Sequence, residues 1–221
     1  MRHVAVGWSG GKDSTLALYK MVTELGIYRP ILVTTYSEEY GRVSMHGVRL
    51  ELLEMQAESL GLELLRVPLP NPCSDEEYQR RMLETLQRLR GMGIGEMVFG
   101  DIFLEDVRSY RERNLGQAGF RGAFPIWGSD TQALSHRFIT LGFKAVVCCV
   151  DTAQAPHELI GMEYGPGFLE RLPDNVDPCG ERGEFHTFVY DGPLFREPVR
   201  FIKGETVLRD NRFLYIDLKP V

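Results

Sequence analysis

The segment Val4-Ala5-Val6-Gly7-Trp8-Ser9-Gly10-Gly11-Lys12-Asp13-Ser14 constrains this chain more than any other stretch. A short apolar run reads as a buried strand. An amphipathic stretch follows, with Leu18, Val22 and Leu25 at helical spacing. Between them lies a glycine-rich turn. Glycines let backbone N–H groups approach an anion with no Cβ in the way. The first helical turn adds unpaired donors and the positive end of its dipole. Lys12 adds a charge, and Ser9 and Ser14 add hydroxyls. Together they form a cradle for phosphate or pyrophosphate. The spacing is not that of a Walker A loop, which would need Gly at position 6 and Ser or Thr at position 13, where Val6 and Asp13 stand.

The alternation continues through the first half. Residues 30–36 predict a second strand. Residues 46–61 predict a helix with Leu50, Leu53, Ala57 and Leu60 on one stripe and Gly61 as its C-cap. A third strand is expected at 62–67. Ser74 or Asp75 can cap the helix after it, which carries Tyr78, Met82, Leu86 and Leu89 on one face. A fourth strand at 96–100, a polar helix at 106–115, a short apolar run at 123–127, a helix at 130–141 and an apolar strand at 143–150 complete the series. Strands alternating with such helices imply βαβ units. The expected fold is Rossmann-like α/β, a parallel sheet with helices on both faces. Ligands of such sheets bind at the carboxyl ends of the strands. After about residue 151 prolines and glycines become frequent. Short antiparallel strands are expected at 198–202, 205–209 and 213–218, with turns at Lys203-Gly204 and Asp210-Asn211. The domain division expected is 1–142 for nucleotide binding and 143–221 for a smaller α/β region that binds substrate.

The formal net charge of -6 argues against a grip on long nucleic acid, and no DNA partner is expected. No apolar run approaches the roughly 20 residues that span a bilayer. The first residues lack the apolar core of a signal peptide, so a cytoplasmic location is expected. The four cysteines, Cys73, Cys148, Cys149 and Cys179, include no C-x-x-C pair and read as reduced thiols. A homodimer is compatible with the sequence.

The turn S-G-G-K-D-S resembles the PP-loop of the ATP pyrophosphatase superfamily. That resemblance implies a loop holding the β- and γ-phosphates of ATP while a substrate attacks the α-phosphate, with Ser9, Gly10, Gly11, Lys12, Asp13 and Ser14 as the ATP-binding residues. A second signature lies at Asp177-Pro178-Cys179-Gly180-Glu181-Arg182-Gly183-Glu184-Phe185-His186-Thr187-Phe188. With Gly100-Asp101-Ile102 and Pro125-Ile126-Trp127, it makes the whole chain resemble the diphthine–ammonia ligase family. The resemblance implies ATP and Mg²⁺, a carboxylate substrate that is either a small molecule or protein-borne, and ammonia or another amine. In that family the diphthine carboxylate on elongation factor 2 is amidated. The diphthamide branch carries Gly where this chain has Arg182 and Glu where it has His186. The form found here resembles a bacterial branch associated with corrinoid (cobalamin) salvage, which would keep the chemistry and change the acid. A PP-loop tRNA-modifying ligase and a non-catalytic ATP-binding regulatory module are further alternatives.

The residues themselves agree with such chemistry. In a strand, Glu184, His186 and Phe188 share one face. A carboxylate beside an imidazole could bind Mg²⁺, orient a substrate or take a proton from ammonia; an exposed polar strand face is the simpler alternative. Lys12, Asp13, Glu184 and His186 are the catalytic candidates. His46, Asp101, Glu181, Glu184 and His186 are the substrate-binding candidates, and Asp13 and Glu184 the metal candidates. Asp101 follows a strand, where a turn or cap residue is also common. Asp13 either caps its helix or approaches Mg²⁺, and His46 either contacts substrate or simply begins a helix. Arg108, Arg111 and Arg113 could hold an anion or form a solvated face. Trp127, Cys148 and Cys149 read as core, and Cys179 as a non-catalytic thiol.

Overall fold

The computed structural model describes residues 3–27 and 29–221. Strand β1 (Ala5–Gly7) is buried by its apolar side chains at the middle of a six-stranded sheet, in the order β3 (Arg42–Val43), β2 (Ile31–Ser37), β1, β5 (Glu96–Val98) and β6 (Arg121–Ala123), with β4 (Leu64–Leu69) on β2. Its chain neighbours are α1 (Lys12–Thr23), β2 (Ile31–Ser37), β3 (Arg42–Val43), α2 (Leu50–Leu60) and β4 (Leu64–Leu69). Then come α3 (Asp75–Gly91), β5 (Glu96–Val98), α4 (Glu105–Gln117), β6 (Arg121–Ala123) and α5 (Thr131–Thr140). All pairings are parallel except β2 with β3. β1 occupies Ile31–Val33 of β2, so β2 runs on past the point where β1 ends and the glycine loop begins; β3 takes Tyr36 and Ser37 there.

The expected helices form, with local reasons for their ends. Ser74 caps α3 by accepting from Glu77 N at 3.2 Å, and Asp130 caps α5 by accepting from Ala133 N at 2.7 Å. α2 begins at Leu50 rather than at residue 46. Met45 (φ 63°) and Gly47 (φ 68°) are left-handed, which a right-handed helix cannot contain. Residues 42–49 instead form a tight hairpin closed by Val43 N donating to Val48 O.

The second half builds a separate antiparallel sheet, β8-β7-β10-β9, from β7 (Lys144–Asp151), β8 (Phe185–Asp191), β9 (Phe201–Arg209) and β10 (Phe213–Pro220), with a short helix α6 (Pro166–Leu169) between β7 and β8. The Asp210-Asn211 turn is present, with φ of 52° and 49°. The expected turn at Lys203-Gly204 is not. β9 runs straight through it, and the irregularity is a register shift opposite Ile216–Leu218.

One apolar cluster joins the two sheets. Val6, Trp8 and Leu18 pack with Val146, Cys148, Phe188 and Leu218. A second surrounds Phe138, Phe143, Phe168 and Phe185, and a third sits under α3 and α4 with Leu86, Leu89 and Met97. Cys148 and Cys149 are core residues, and burial pushes the Cys149 thiol up to about 12. Among the described residues no helix is long and apolar enough to cross a membrane.

Phe188 is fully buried at the junction of the sheets. Phe188→Ala is expected to cost about 3–5 kcal/mol of stability. Urea unfolding measures it, and a loss below about 1 kcal/mol would mean that the sheets do not share a core.

Candidate active site

A cavity of about 540 Å³ opens where β1, β2 and β5 end, between the glycine loop and residues 180–187. This is the position that strand order in an α/β sheet favours for a ligand. Gly10 sits at φ 76°, where a side chain would be strained and would also meet the Gln56 amide. Gly100 lies so close to α1 that a Cβ there would stand 2.6 Å from the Asp13 carbonyl carbon. Inside the loop, Gly11 N donates to Ser9 Oγ (3.3 Å) and Ser14 Oγ donates to Gly11 O (3.0 Å).

The loop is also gripped from outside its own sheet. Lys12 N donates to Thr187 Oγ1 at 3.1 Å, and Val189 N donates to Gly10 O at 2.9 Å; both partners belong to β8. Gln56 in α2 donates to Gly10 O (3.0 Å) and Val189 O (2.5 Å), and accepts from Trp8 Nε1 (2.9 Å). A buried amide with three such bonds fixes the loop against both layers. Sequence reasoning missed Thr187 as a loop partner and Gln56 altogether. The one signal for Gln56 was a polar side chain on an apolar helical face.

Lys12 is 3% exposed. Its Nζ donates to Asp13 Oδ2 (2.8 Å) and to the Cys179 carbonyl, and lies over the Tyr164 and Phe185 rings at 5.8 and 5.5 Å. Burial pulls its pKa down, but Asp13, Cys179 and Glu181 outweigh burial and the net shift is upward. Burial pushes Asp13 up against the pull of Lys12, with Asp177 and Asp101 adding to the rise. Among the described residues Asp13 Oδ1 is buried without a hydrogen-bond partner. Thr34 Oγ1, also in the cavity lining, is in the same state.

The second signature folds into a loop that returns to the first sheet. Asp177 Oδ1 accepts from Cys179 N (2.8 Å). Glu181 Oε1 accepts from Ile102 N (2.7 Å) and Phe103 N (3.3 Å), which ties the loop to the end of β5. Burial raises the Glu181 carboxyl to about 7, against the two amides and with help from Asp13 and Asp101. Glu184 differs from expectation. It precedes β8, is 3% exposed, and does not line the cavity. Its carboxylate accepts from Asp177 N (3.1 Å) and Arg182 N (2.9 Å). It holds the loop together rather than facing the cavity beside His186.

His186 and His46 do face the cavity, with ring centroids 4.5 Å apart. Withdrawal from water and the nearby Lys12 lower His186 to about 4. The same withdrawal, with His186 and Lys12, lowers His46 well below its usual value. Both are neutral imidazoles at neutral pH. Asp101 lines the cavity but is engaged by Arg111 (2.8 Å), whose guanidinium lies over Phe99. Arg108 pairs with Glu112 and stacks on Phe124 and Trp127; Arg113 is exposed. The Cys179 thiol is buried, donates to Thr131 O, and is pushed far up by burial. The residues fit ATP with a divalent cation: a glycine cradle at one end, and an orphaned carboxylate oxygen beside it. Among the described residues no three His, Cys, Asp or Glu side chains form a ready metal cage.

Residues 1–122 match the diphthamide synthase N-terminal domain, and residues 130–219 match the diphthamide synthase C-terminal domain. The chain is similar to the protein named diphthine–ammonia ligase of Mus musculus, 23% identical over 232 residues covering 93% of this chain and 85% of the mouse protein. The protein of that name in Danio rerio is 25% identical, over 92% and 88%. The one in Schizosaccharomyces pombe is 24% identical, over 90% of this chain and 36% of the yeast protein.

Two outcomes are expected. Glu184→Ala leaves the buried Asp177 N–H and the partly buried Arg182 N–H without this acceptor and is expected to cost about 1–3 kcal/mol in urea unfolding; a loss under about 0.5 kcal/mol would remove Glu184 as the keystone of its loop. Glu181 is raised from 4.5 to about 7, so the folded chain binds the extra proton between those values. Its contribution to stability therefore falls as pH rises through that window. Unfolding of Glu181→Gln, compared with the parent, should show relative stability increasing from pH 5 to pH 7. A difference independent of pH would contradict the raised carboxyl.

Proposed function

The chain belongs to the diphthamide synthase family, and from that premise we propose that it is a ligase using ATP to convert a substrate carboxylate into an amide. The observation that carries this reading is a glycine loop pinned from β8, with its open face on a cavity that also receives Asp13, Glu181, His46 and His186. A free carboxylate is a poor acyl donor, because oxide leaves badly. Attack of its oxygen on the α-phosphorus breaks the bond to the β-phosphate oxygen and releases pyrophosphate. The loop N–H groups not already bonded to Ser9 and Thr187, with the Lys12 charge, stabilise the departing anion. Ammonia then attacks the acyl carbon, and AMP leaves with the acyl C–O electron pair.

The surplus ammonia proton passes to a group at the cavity wall. Glu181, raised to about 7, is the group matched to accept it, while the neutral His46–His186 pair orients the reactants. Mg²⁺ would be held at the free Asp13 oxygen, where it would neutralise charge on the pyrophosphate. Glu184 acts on this reading through the loop it closes.

A second reading keeps the steps and changes the acid to a corrinoid. His186 favours it: a neutral imidazole stands in the cavity where the diphthamide signature has a carboxylate.

With α-labelled ATP, Mg²⁺, ammonium and elongation factor 2 carrying diphthine, the expected products are AMP and pyrophosphate in equal amounts. Asp13→Ala is expected to lower kcat/KM by about 10²–10³ with the circular-dichroism spectrum unchanged. Turnover of a corrinoid acid in place of diphthine would select the second reading. Labelled ADP with every acid would contradict both.

A further inference from the structure

The turn that carries His46 is short and conformationally costly. Between Val43 and Val48 it holds Met45 and Gly47 at positive φ, and Met45 is 57% exposed. A non-glycine residue stays left-handed only where its surroundings enforce it. On the outer side of this turn lies a cleft of about 690 Å³ that Val43, Ser44 and Met45 share with the nucleotide cavity. The turn thus has room to swing outward and take His46 with it.

What opposes that movement comes from β10, in the other sheet. The Tyr215 ring lies against Gly47 and leaves no space for a Cβ. Arg42 Nη1 donates to Gly47 O at 2.7 Å, and its Nη2 donates to Asp217 Oδ1 at 2.8 Å. Arg49, across the hairpin, places Nε on Asp217 Oδ1 (3.0 Å) and Nη2 on Oδ2 (2.8 Å). One carboxylate closes both ends of the turn, and its side chain is 17% exposed. A forked guanidinium bond fixes direction as well as distance, unlike a single surface pair. Arg49 and Arg42 hold Asp217 at about 2, so it is ionised at any working pH. On the inner side of the turn, His46 Nε2 points at Gly11: a Cβ on that glycine would lie 3.0 Å away. The His46 ring rests on His186.

We propose that Asp217 is a positioning residue of the nucleotide pocket: by receiving Arg42 and Arg49 it locks the Ser44–Gly47 turn and holds His46 over the phosphate loop against His186. Asp217 touches neither nucleotide nor substrate and acts through the two arginines. The inference needs the cavity to bind ATP and does not depend on the product being an amide.

The test follows the imidazole ring protons by NMR and measures the dissociation constant of Mg·ATP by calorimetry, in Asp217→Ala, Arg49→Gln and Asp217→Glu. The first two should move the His46 and His186 ring signals while those of His136 and His157 stay in place. They should weaken Mg·ATP binding about tenfold, the scale of one charged hydrogen bond. Asp217→Glu keeps the charge and should restore both readouts toward the parent. Arg49→Gln removes only the forked bond and serves if Asp217→Ala does not fold. His46 and His186 signals unchanged in a folded Asp217→Ala or Arg49→Gln would overturn the proposal, as would equal movement of all the histidines. If the parent bound no Mg·ATP, the ATP-binding reading would fall while the ring signals still decided the role of Asp217.

Discussion

The bond from the Lys12 amide to the Thr187 hydroxyl, with that from Val189 N to Gly10 O, is the constraint on which the site depends. A loop of two glycines between a three-residue strand and a helix loses much conformational entropy on ordering. Its own sheet holds only one end of it. β8 supplies the rest, and Gln56 closes the gap between them. An anion site works best when its donors are already aimed and need no reorganisation. Here the aim is set by the second sheet, so the nucleotide loop belongs to both layers although its sequence lies in one.

The electrostatics follow from the same packing. Overall the chain carries a charge of -6, yet the cavity is not simply acidic. Lys12 is buried among Asp13, the Cys179 carbonyl and two aromatic rings, so its charge is present but directed. Glu181 is partly neutralised by burial, and the two histidines stay uncharged. A triphosphate entering such a space meets two cations, Lys12 and Arg111, each already paired with a carboxylate, Asp13 and Asp101. The carboxyl of Glu181 and the imidazoles remain free to exchange protons near neutrality and below it, respectively.

Local signals in the sequence carried most of the fold. Apolar period, capping residues at Ser74 and Asp130, and the Asp210-Asn211 turn act over a few residues and were legible. Lys203-Gly204 misled because a turn dipeptide inside a paired ladder can be absorbed as a shift in register; pairing with β10 decided it. The helix expected from residue 46 began later because two left-handed residues shape the turn there, and φ signs cannot be read from Met45. In the site, the glycine loop was legible because its chemistry is contiguous. The loop's bonds to Thr187 and Gln56 span 175 and 46 residues, and no local pattern announces them. Glu184 looked like a ligand because strand alternation put it beside His186. The strand starts one residue later, and unsatisfied amides claimed the carboxylate first.

A structure with a non-hydrolysable ATP analogue and Mg²⁺ tests whether the phosphate cradle is preformed by contacts between the two sheets. The β- and γ-phosphates should rest on the backbone of residues 9–14, the α-phosphorus should face the His46–His186 side, and the Thr187–Lys12 and Val189–Gly10 bonds should be intact. A triphosphate bound elsewhere, or a loop that leaves β8 to receive it, would contradict the account.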